Sequence, residues 1–185
     1  RLLFDLFIQE KAYLHIGIPL MGIHNVQNAA AVFALSLSLG ITEEEIRKAF
    51  ESFCGIKRRM DKKGEKQGVI FYDDYAHHPT EIKATLKGLR EYSLGKRVVA
   101  IFQPHRFSRF KECWNEFLEA FDKNDLVIIT DIYSAGESPI EGVSVEKFFC
   151  ELKIPKEKYL VSRRQLASFC ADLLRPHDIV ITLGE

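Results

Sequence analysis

A doubly wound α/β fold, with a mostly parallel sheet covered by helices on both faces, is predicted for the larger part of this 185-residue chain. Three observations predict it. From residue 69 onward, short continuous Val/Ile runs alternate with amphipathic stretches of helical period. The runs are apolar at consecutive positions, as strands buried on both faces require, where a strand with one wet face alternates. The residues that follow three of these runs are dense in Asp, His and Arg, and in such sheets ligands bind at the carboxyl ends of the strands.

Before that region come two apolar runs, Leu2 to Ile8 and Ala12 to Ile16, parted by Gln9-Glu10-Lys11, which predicts a hairpin. Asn25 to Leu35 is rich in strong helix formers and closes at Gly40, so it reads as a buried helix. Thr42 followed by Glu45 at the third helical position is a capping box, and Ile46, Ala49, Phe50 and Phe53 share one face of a second helix. Residues 57–68 carry six basic and two acidic residues with two glycines, a composition change that places a linker and a domain boundary there. The alternating region then reads as strand 69–72, helix 80–91, strand 97–102, helix 111–121, strand 126–130, helix 144–152, strand 159–161, helix 164–174 and strand 178–182.

Charge and composition exclude several classes. Twenty-six Lys+Arg balance 26 Asp+Glu, so no overall field holds a polyanion and nucleic acid is not an expected partner. Fourteen Phe and six Tyr in a chain that is 46% hydrophobic argue against disorder, and no apolar run reaches the roughly 18–20 residues that cross a bilayer. Cys54, Cys113, Cys150 and Cys170 are scattered without metal-ligand spacing and read as buried or half-buried thiols of a reducing cytoplasm. Arg1 enters a strand without an initiator Met, and Leu183-Gly184-Glu185 stops where a strand meets its loop, so both ends are expected to continue.

The strand-end loops hold the chemistry. Asp73, Asp74, His77 and His78 lie within six residues, a set that suits a metal, substrate or nucleotide contacts, or plain capping ahead of Pro79. Arg106 and Arg109, three apart, point the same way if their segment makes a helical turn, and two guanidinium forks suit a carboxylate or phosphate; the alternative is a solvated surface pair. Lys57, Arg58 and Arg59 are either a solvated linker or a reach toward a phosphate. Asn25 and Asn28 can pair with the edge of adenine or cap a helix. Neither G-x-x-x-x-G-K-[ST] nor G-x-G-x-x-G is present, so a phosphate cradle is expected outside this chain.

Five ordered segments together resemble the Mur ligases: Gly22-Ile23-His24-Asn25-Val26-Gln27-Asn28, Gly55-Ile56-Lys57-Arg58-Arg59, Asp73-Asp74-Tyr75-Ala76-His77-His78-Pro79-Thr80-Glu81, Phe102-Gln103-Pro104-His105-Arg106-Phe107-Ser108-Arg109 and Ala135-Gly136-Glu137-Ser138-Pro139-Ile140. The resemblance runs from about Leu14 to Gly184 and is nearest to the members that add the first amino acid of peptidoglycan. It implies that residues 1–57 are the C-terminal part of a P-loop-type ATP-binding central domain and 58–185 most of a Rossmann-like amino-acid-binding domain, in a cytoplasmic protein whose other domains lie outside this chain.

The activity it implies is ATP-dependent amide formation between UDP-N-acetylmuramate and L-alanine through an acyl phosphate, with Mg²⁺ and without a protein nucleophile. Residue by residue, Asn25 and Asn28 match the adenine pair, Asp74 a ribose-side Asp and Arg59 an interdomain Arg near the phosphates, while His77, Arg106 and Arg109 match residues facing the amino acid and the sugar-nucleotide acid. Two rivals stand beside this reading: a recycling ligase that attaches a whole peptide to the same sugar nucleotide, and a metal-dependent hydrolase built on Asp73, Asp74, His77, His78 and His105.

Overall fold

The computed structural model describes residues 2–122, 126–155 and 157–184. The chain divides into two compact units, Arg1–Ile56 and Lys57–Glu185.

The first unit pairs β1 (Leu2–Ile8) with β2 (Lys11–Ile18) in an antiparallel hairpin, packed with α1 (Ile23–Ser38) and α2 (Glu43–Ser52). Tyr13, Ile16, Phe33 and Ile46 form its core, with the Tyr13 and Phe33 rings edge-on at 5.3 Å. Thr42 and Glu45 form the capping box that the spacing predicts, the Thr42 N–H donating to Glu45 Oε2 at 3.0 Å. Arg47 fastens α2 to the hairpin by donating to the Leu14 carbonyl at 2.8 Å. The unit also leaves large apolar side chains in water: Phe7 is 70% exposed and Leu39 71%.

The second unit is a six-stranded sheet, ordered β3-β4-β8-β5-β6-β7. Its strands are β3 (Asp61–Lys66), β4 (Val69–Asp74), β5 (Val98–Phe102), β6 (Leu126–Ile129), β7 (Glu157–Leu160) and β8 (Ile179–Leu183), and only the β3–β4 pairing is antiparallel. The helices are α3 (Pro79–Ser93), α4 (Phe107–Glu112), α5 (Trp114–Leu118), α6 (Val145–Glu151) and α7 (Leu166–Leu173). This is the predicted doubly wound α/β sheet.

Alternation along β5 shows how the layers are built. Val99 and Ile101 join Val180, Leu126 and Ile128 beneath Leu166, Phe169 and Leu173 of α7. Phe102 points to the opposite face, where its ring meets Phe110, Phe117, Phe121 and Phe148 at 5.4–6.4 Å. Burying aromatic side chains of this size contributes about 2–3 kcal/mol each, so this cluster anchors the layer that carries α4, α5 and α6. At the amino end of β8, Arg97 grips Asp178 with two nitrogens at 2.9 and 2.6 Å. Burial pushes the Asp178 carboxyl up, but the Arg97 fork and the Arg175 N–H outweigh it and hold the group below its ordinary value.

Three expectations are corrected. Residues 57–68 are not a linker throughout: β3 occupies 61–66 and turns back into β4 through Gln67 and Gly68, both at positive φ (53° and 77°). Its Lys62, Lys63, Glu65 and Lys66 side chains are exposed, so β3 is an edge strand held by backbone pairing and carries no apolar signal. The helix expected at 111–121 is two short helices that begin earlier, at Phe107, and break at Cys113. Cys113 departs from helical angles (φ −102°, ψ 24°) although its N–H still donates to the Arg109 carbonyl and its carbonyl accepts the Phe117 N–H, both at 2.9 Å, and each piece places one phenylalanine, Phe110 or Phe117, in the cluster around Phe102. The cysteines are free, and Cys54 and Cys150 are exposed where buried or half-buried thiols were expected.

Candidate active site

The carboxyl ends of β4, β8 and β5 lie side by side, with Asp74 opposite Leu183 and Leu183 opposite Phe102. At the end of β4, Asp74 is 3% exposed. Its Oδ2 accepts the Met60 N–H and its Oδ1 the Ala76 N–H, both at 2.8 Å. Burial pushes its carboxyl above the ordinary value even though those two N–H groups and the nearby Arg59 pull it down. Asp74 is therefore a clasp that holds two backbone segments to the strand end.

The basic segment is held by this clasp and is not freely solvated. The Arg58 carbonyl accepts the Tyr75 N–H at 2.7 Å, and the Arg58 guanidinium lies 4.7 Å over the Tyr75 ring while donating to the Gly184 carbonyl at 2.8 Å. Gly184 fits there because a Cβ at that position would stand 2.7 Å from the Gln103 carbonyl oxygen. Arg59 approaches the same ring at 5.9 Å and reaches Glu81 Oε1 at 3.5 Å, with its side chain 47% exposed.

Glu81 organises the start of α3. Its Oε2 accepts the N–H groups of His77 at 3.1 Å and His78 at 3.2 Å, completing a capping box with His78 as N-cap and Pro79 inside the first turn. These bonds outweigh burial, which acts the other way, and hold the Glu81 carboxyl low. His77 Nδ1 lies 2.9 Å from the Tyr75 carbonyl, which only accepts; Nδ1 therefore carries the proton, and Nε2 of the neutral ring is an acceptor.

From His77 a row of rings continues across the rim. His77 lies edge-on to Tyr75 at 5.0 Å and 6.0 Å from His105. His105 is 2% exposed and stacks on Tyr133 at 5.4 Å, 17° from parallel. Arg109 Nη1 lies 3.1 Å from His105 Nδ1; a guanidinium only donates, so Nδ1 is the acceptor there. Arg106 is exposed at the start of α4 with φ of 67°, and its N–H donates to the Tyr133 carbonyl at 2.8 Å. The pair therefore does not sit on one regular helical turn: Arg106 is the N-cap residue, while Arg109 lies inside the helix against His105.

Of the residues singled out from sequence, His77, Arg106 and Arg109 lie on one stretch of rim around His105, and Asp74 and Arg59 flank Tyr75 at its other end. Asn25 and Asn28 belong to α1 of the first unit, where the Asn25 amide donates to the Met21 carbonyl at 2.7 Å. Sequence reasoning passed over Tyr75, Glu81 and Glu137, whose signal was their place inside the quoted motifs, and Tyr133, which stands two residues before the last of them. On the same strand ends a cavity of about 180 Å³ is lined by Arg58, Asp73, Gln103, Thr130, Arg163 and Thr182; His77, Arg106 and Arg109 do not line it. Asp73, Asp74, His77, His78 and His105 do not converge: Asp74 holds backbone N–H groups, His78 caps α3 and His105 faces Arg109. Among the described residues no group of three or more His, Cys, Asp or Glu is placed to hold a metal ion.

Such a rim sets cationic forks beside a histidine acceptor, groups whose chemistry suits a small carboxylate and an adjacent proton donor. Comparison with known proteins bears on which one. Residues 58–185 match the model of the Mur ligase glutamate ligase domain. The UDP-N-acetylmuramate--L-alanine ligase of Protochlamydia amoebophila is 48% identical over 98% of this chain, and that of Desulfosudis oleivorans 42% over 95%. The chain spans 40% and 39% of the lengths of these two relatives. Among solved structures, the UDP-N-acetylmuramate-alanine ligase of Thermotoga maritima superposes with a TM-score of 0.75 at 30% identity, covering 95% of this chain and 37% of its own. The chain belongs to the Mur ligase family, and residues 58–185 are its glutamate ligase domain.

Proposed function

We propose that the protein containing this chain joins L-alanine to the lactyl carboxylate of UDP-N-acetylmuramate in an ATP-dependent reaction of cytoplasmic peptidoglycan synthesis, and that this chain brings the amino acid. The observation that carries the reading is the His77–His105–Arg109 group with Arg106 beside it, set on the strand-end rim of a Mur ligase domain. Arg109 and Arg106 grip the alanine carboxylate. His77 Nε2 lies on the same rim to accept a hydrogen bond or proton from the amine, which attacks the acyl phosphate as the neutral base.

The nucleotide side of the reading rests on Asn25 and Asn28 for adenine and on Arg59 for the phosphates, with Asp74 holding the Arg59 segment in place and lying on the ribose side. Residues 1–57 are read as the end of the central ATP-binding domain. Their exposed Phe7, Leu35 and Leu39 support this, because a self-sufficient unit rarely leaves so much apolar surface in water. No phosphate loop lies in the chain, so phosphorylation is assigned to the remainder of the protein.

The test is a substrate comparison with the full-length protein, ATP and UDP-N-acetylmuramate. L-alanine is expected to give an amide product with one ADP released per bond, and a preformed tripeptide little or none. Preference for the tripeptide would assign the recycling activity, and product without ATP consumption would remove the ligase reading.

A further inference from the structure

We infer that Glu137, which lies in the loop after β6 and not on the rim itself, is a positioning residue for the amino-acid subsite; this rests on the reading proposed above. The helix that carries Arg109 is only six residues long, and its N-cap residue, Arg106, supplies no side-chain cap. The first N–H groups of such a helix lack partners within it. Glu137 supplies one from a different loop: its Oε2 accepts the Ser108 N–H at 2.9 Å and its Oε1 the Ser108 hydroxyl at 2.7 Å. One carboxylate thus holds the second residue of α4 at two points, one residue before Arg109.

The same loop is fastened to the same segment at three further places. The Tyr133 N–H donates to the Pro104 carbonyl at 2.9 Å, the Arg106 N–H donates to the Tyr133 carbonyl at 2.8 Å, and the Tyr133 ring stacks on His105. Tyr133 fixes His105 and Glu137 fixes the helix turn, so the two groups that set the Arg109 guanidinium are held from one loop. A carboxylate also suits this position because the amino end of a helix carries partial positive charge. The two bonds to Ser108 hold the Glu137 carboxyl below its ordinary value, so it stays ionised near neutral pH. Without the clamp, α4 keeps its buried Phe110 and stays folded, while its first turn and Arg109 lose their fixed place against His105. Small misplacements of a positioning group cost up to about 100-fold in rate.

The experiment compares Glu137→Ala and Glu137→Gln in the full-length ligase. Glu137→Ala is expected to raise KM for L-alanine by about tenfold or more while KM for ATP changes by less than about twofold. Glu137→Gln keeps an acceptor for the Ser108 N–H and offers a donor to its hydroxyl oxygen, and is expected to recover most of the loss. Hydrogen exchange at the Ser108 amide, measured without substrates, reads the clamp separately: protected in the wild type, faster in Glu137→Ala. Loss of protection without a change in KM for alanine, equal losses for both substrates, or unchanged protection would each overturn the inference. A wild type that turns over ATP and a different amino acid, with Ser108 protected, instead refutes the alanine reading and leaves the clamp standing for the other amino acid.

Discussion

Replacing Arg109 by alanine in the full-length protein is expected to raise KM for L-alanine by about 10- to 100-fold and to leave KM for ATP nearly unchanged. The magnitude follows from losing one charge-assisted contact to a carboxylate, worth roughly 1.5–3 kcal/mol. Its direction follows from the place proposed for each group: Arg109 lies part-buried against His105, three residues from the exposed N-cap Arg106, while Arg59 lies at Tyr75 and Glu81. Arg109→Lys is expected to recover little, because an ammonium keeps the charge without the planar fork that matches a carboxylate. Steady-state kinetics with each substrate varied in turn decides it, and equal increases for both substrates would remove Arg109 from the amino-acid subsite.

The second large effect is on stability. Asp74→Ala takes the acceptors from two backbone N–H groups, Met60 and Ala76, at a position only 3% exposed. Leaving buried donors without partners costs about 1–3 kcal/mol each, so a loss of about 2–5 kcal/mol is expected in urea unfolding. Asp74→Asn keeps one acceptor and turns an amide donor toward the other N–H, and falls between the wild type and Asp74→Ala. The pH dependence has a definite sign. Burial raises the folded Asp74 carboxyl above its unfolded value, so the folded state holds the proton more tightly, and this group's contribution to stability declines as pH rises through the raised folded value. In Asp74→Asn that decline is absent from the stability-versus-pH curve; a curve parallel to the wild type would contradict the assignment.

Much of the fold was legible because its signals are local. The Val/Ile runs of β4, β5, β6 and β8 each read as strands, and their burial on both faces explains why consecutive positions are apolar. The box at Thr42 and the Pro79 start of α3 were legible for the same reason, since a cap satisfies neighbouring backbone groups within a few residues. What escaped had no local signal. β3 consists of charged residues and one glycine, and it exists because β4 offers an edge to pair with. The turn at Cys113 accompanies the packing of Phe110 and Phe117 on Phe102 and of Phe110 on Phe148, contacts that no short sequence window contains.

The site followed the same division. His77, Arg106 and Arg109 could be singled out because they stand in two dense motifs, one following β4 and one following β5. That Asp74 holds two backbone segments, that His105 receives Arg109, and that Glu137 reaches Ser108 across 29 residues are facts of tertiary contact. The alternatives open for Asp73 to His78 were a metal, ligand contacts or capping; the structure gives His78 the cap and Asp74 the backbone, and leaves His77 facing His105.

The division of the rim between nucleotide and amino acid is tested most directly by measuring KM for ATP and for L-alanine in Arg59→Ala and Arg109→Ala of the full-length protein, side by side. Arg59 is half exposed beside Glu81 and Tyr75, and Arg109 is held at His105, so neither substitution removes a buried apolar group. The expected result is a crossed pattern: Arg59→Ala raises KM for ATP by about tenfold and spares alanine, and Arg109→Ala does the reverse. Two variants that weaken the same substrate, or each weaken both alike, would contradict it.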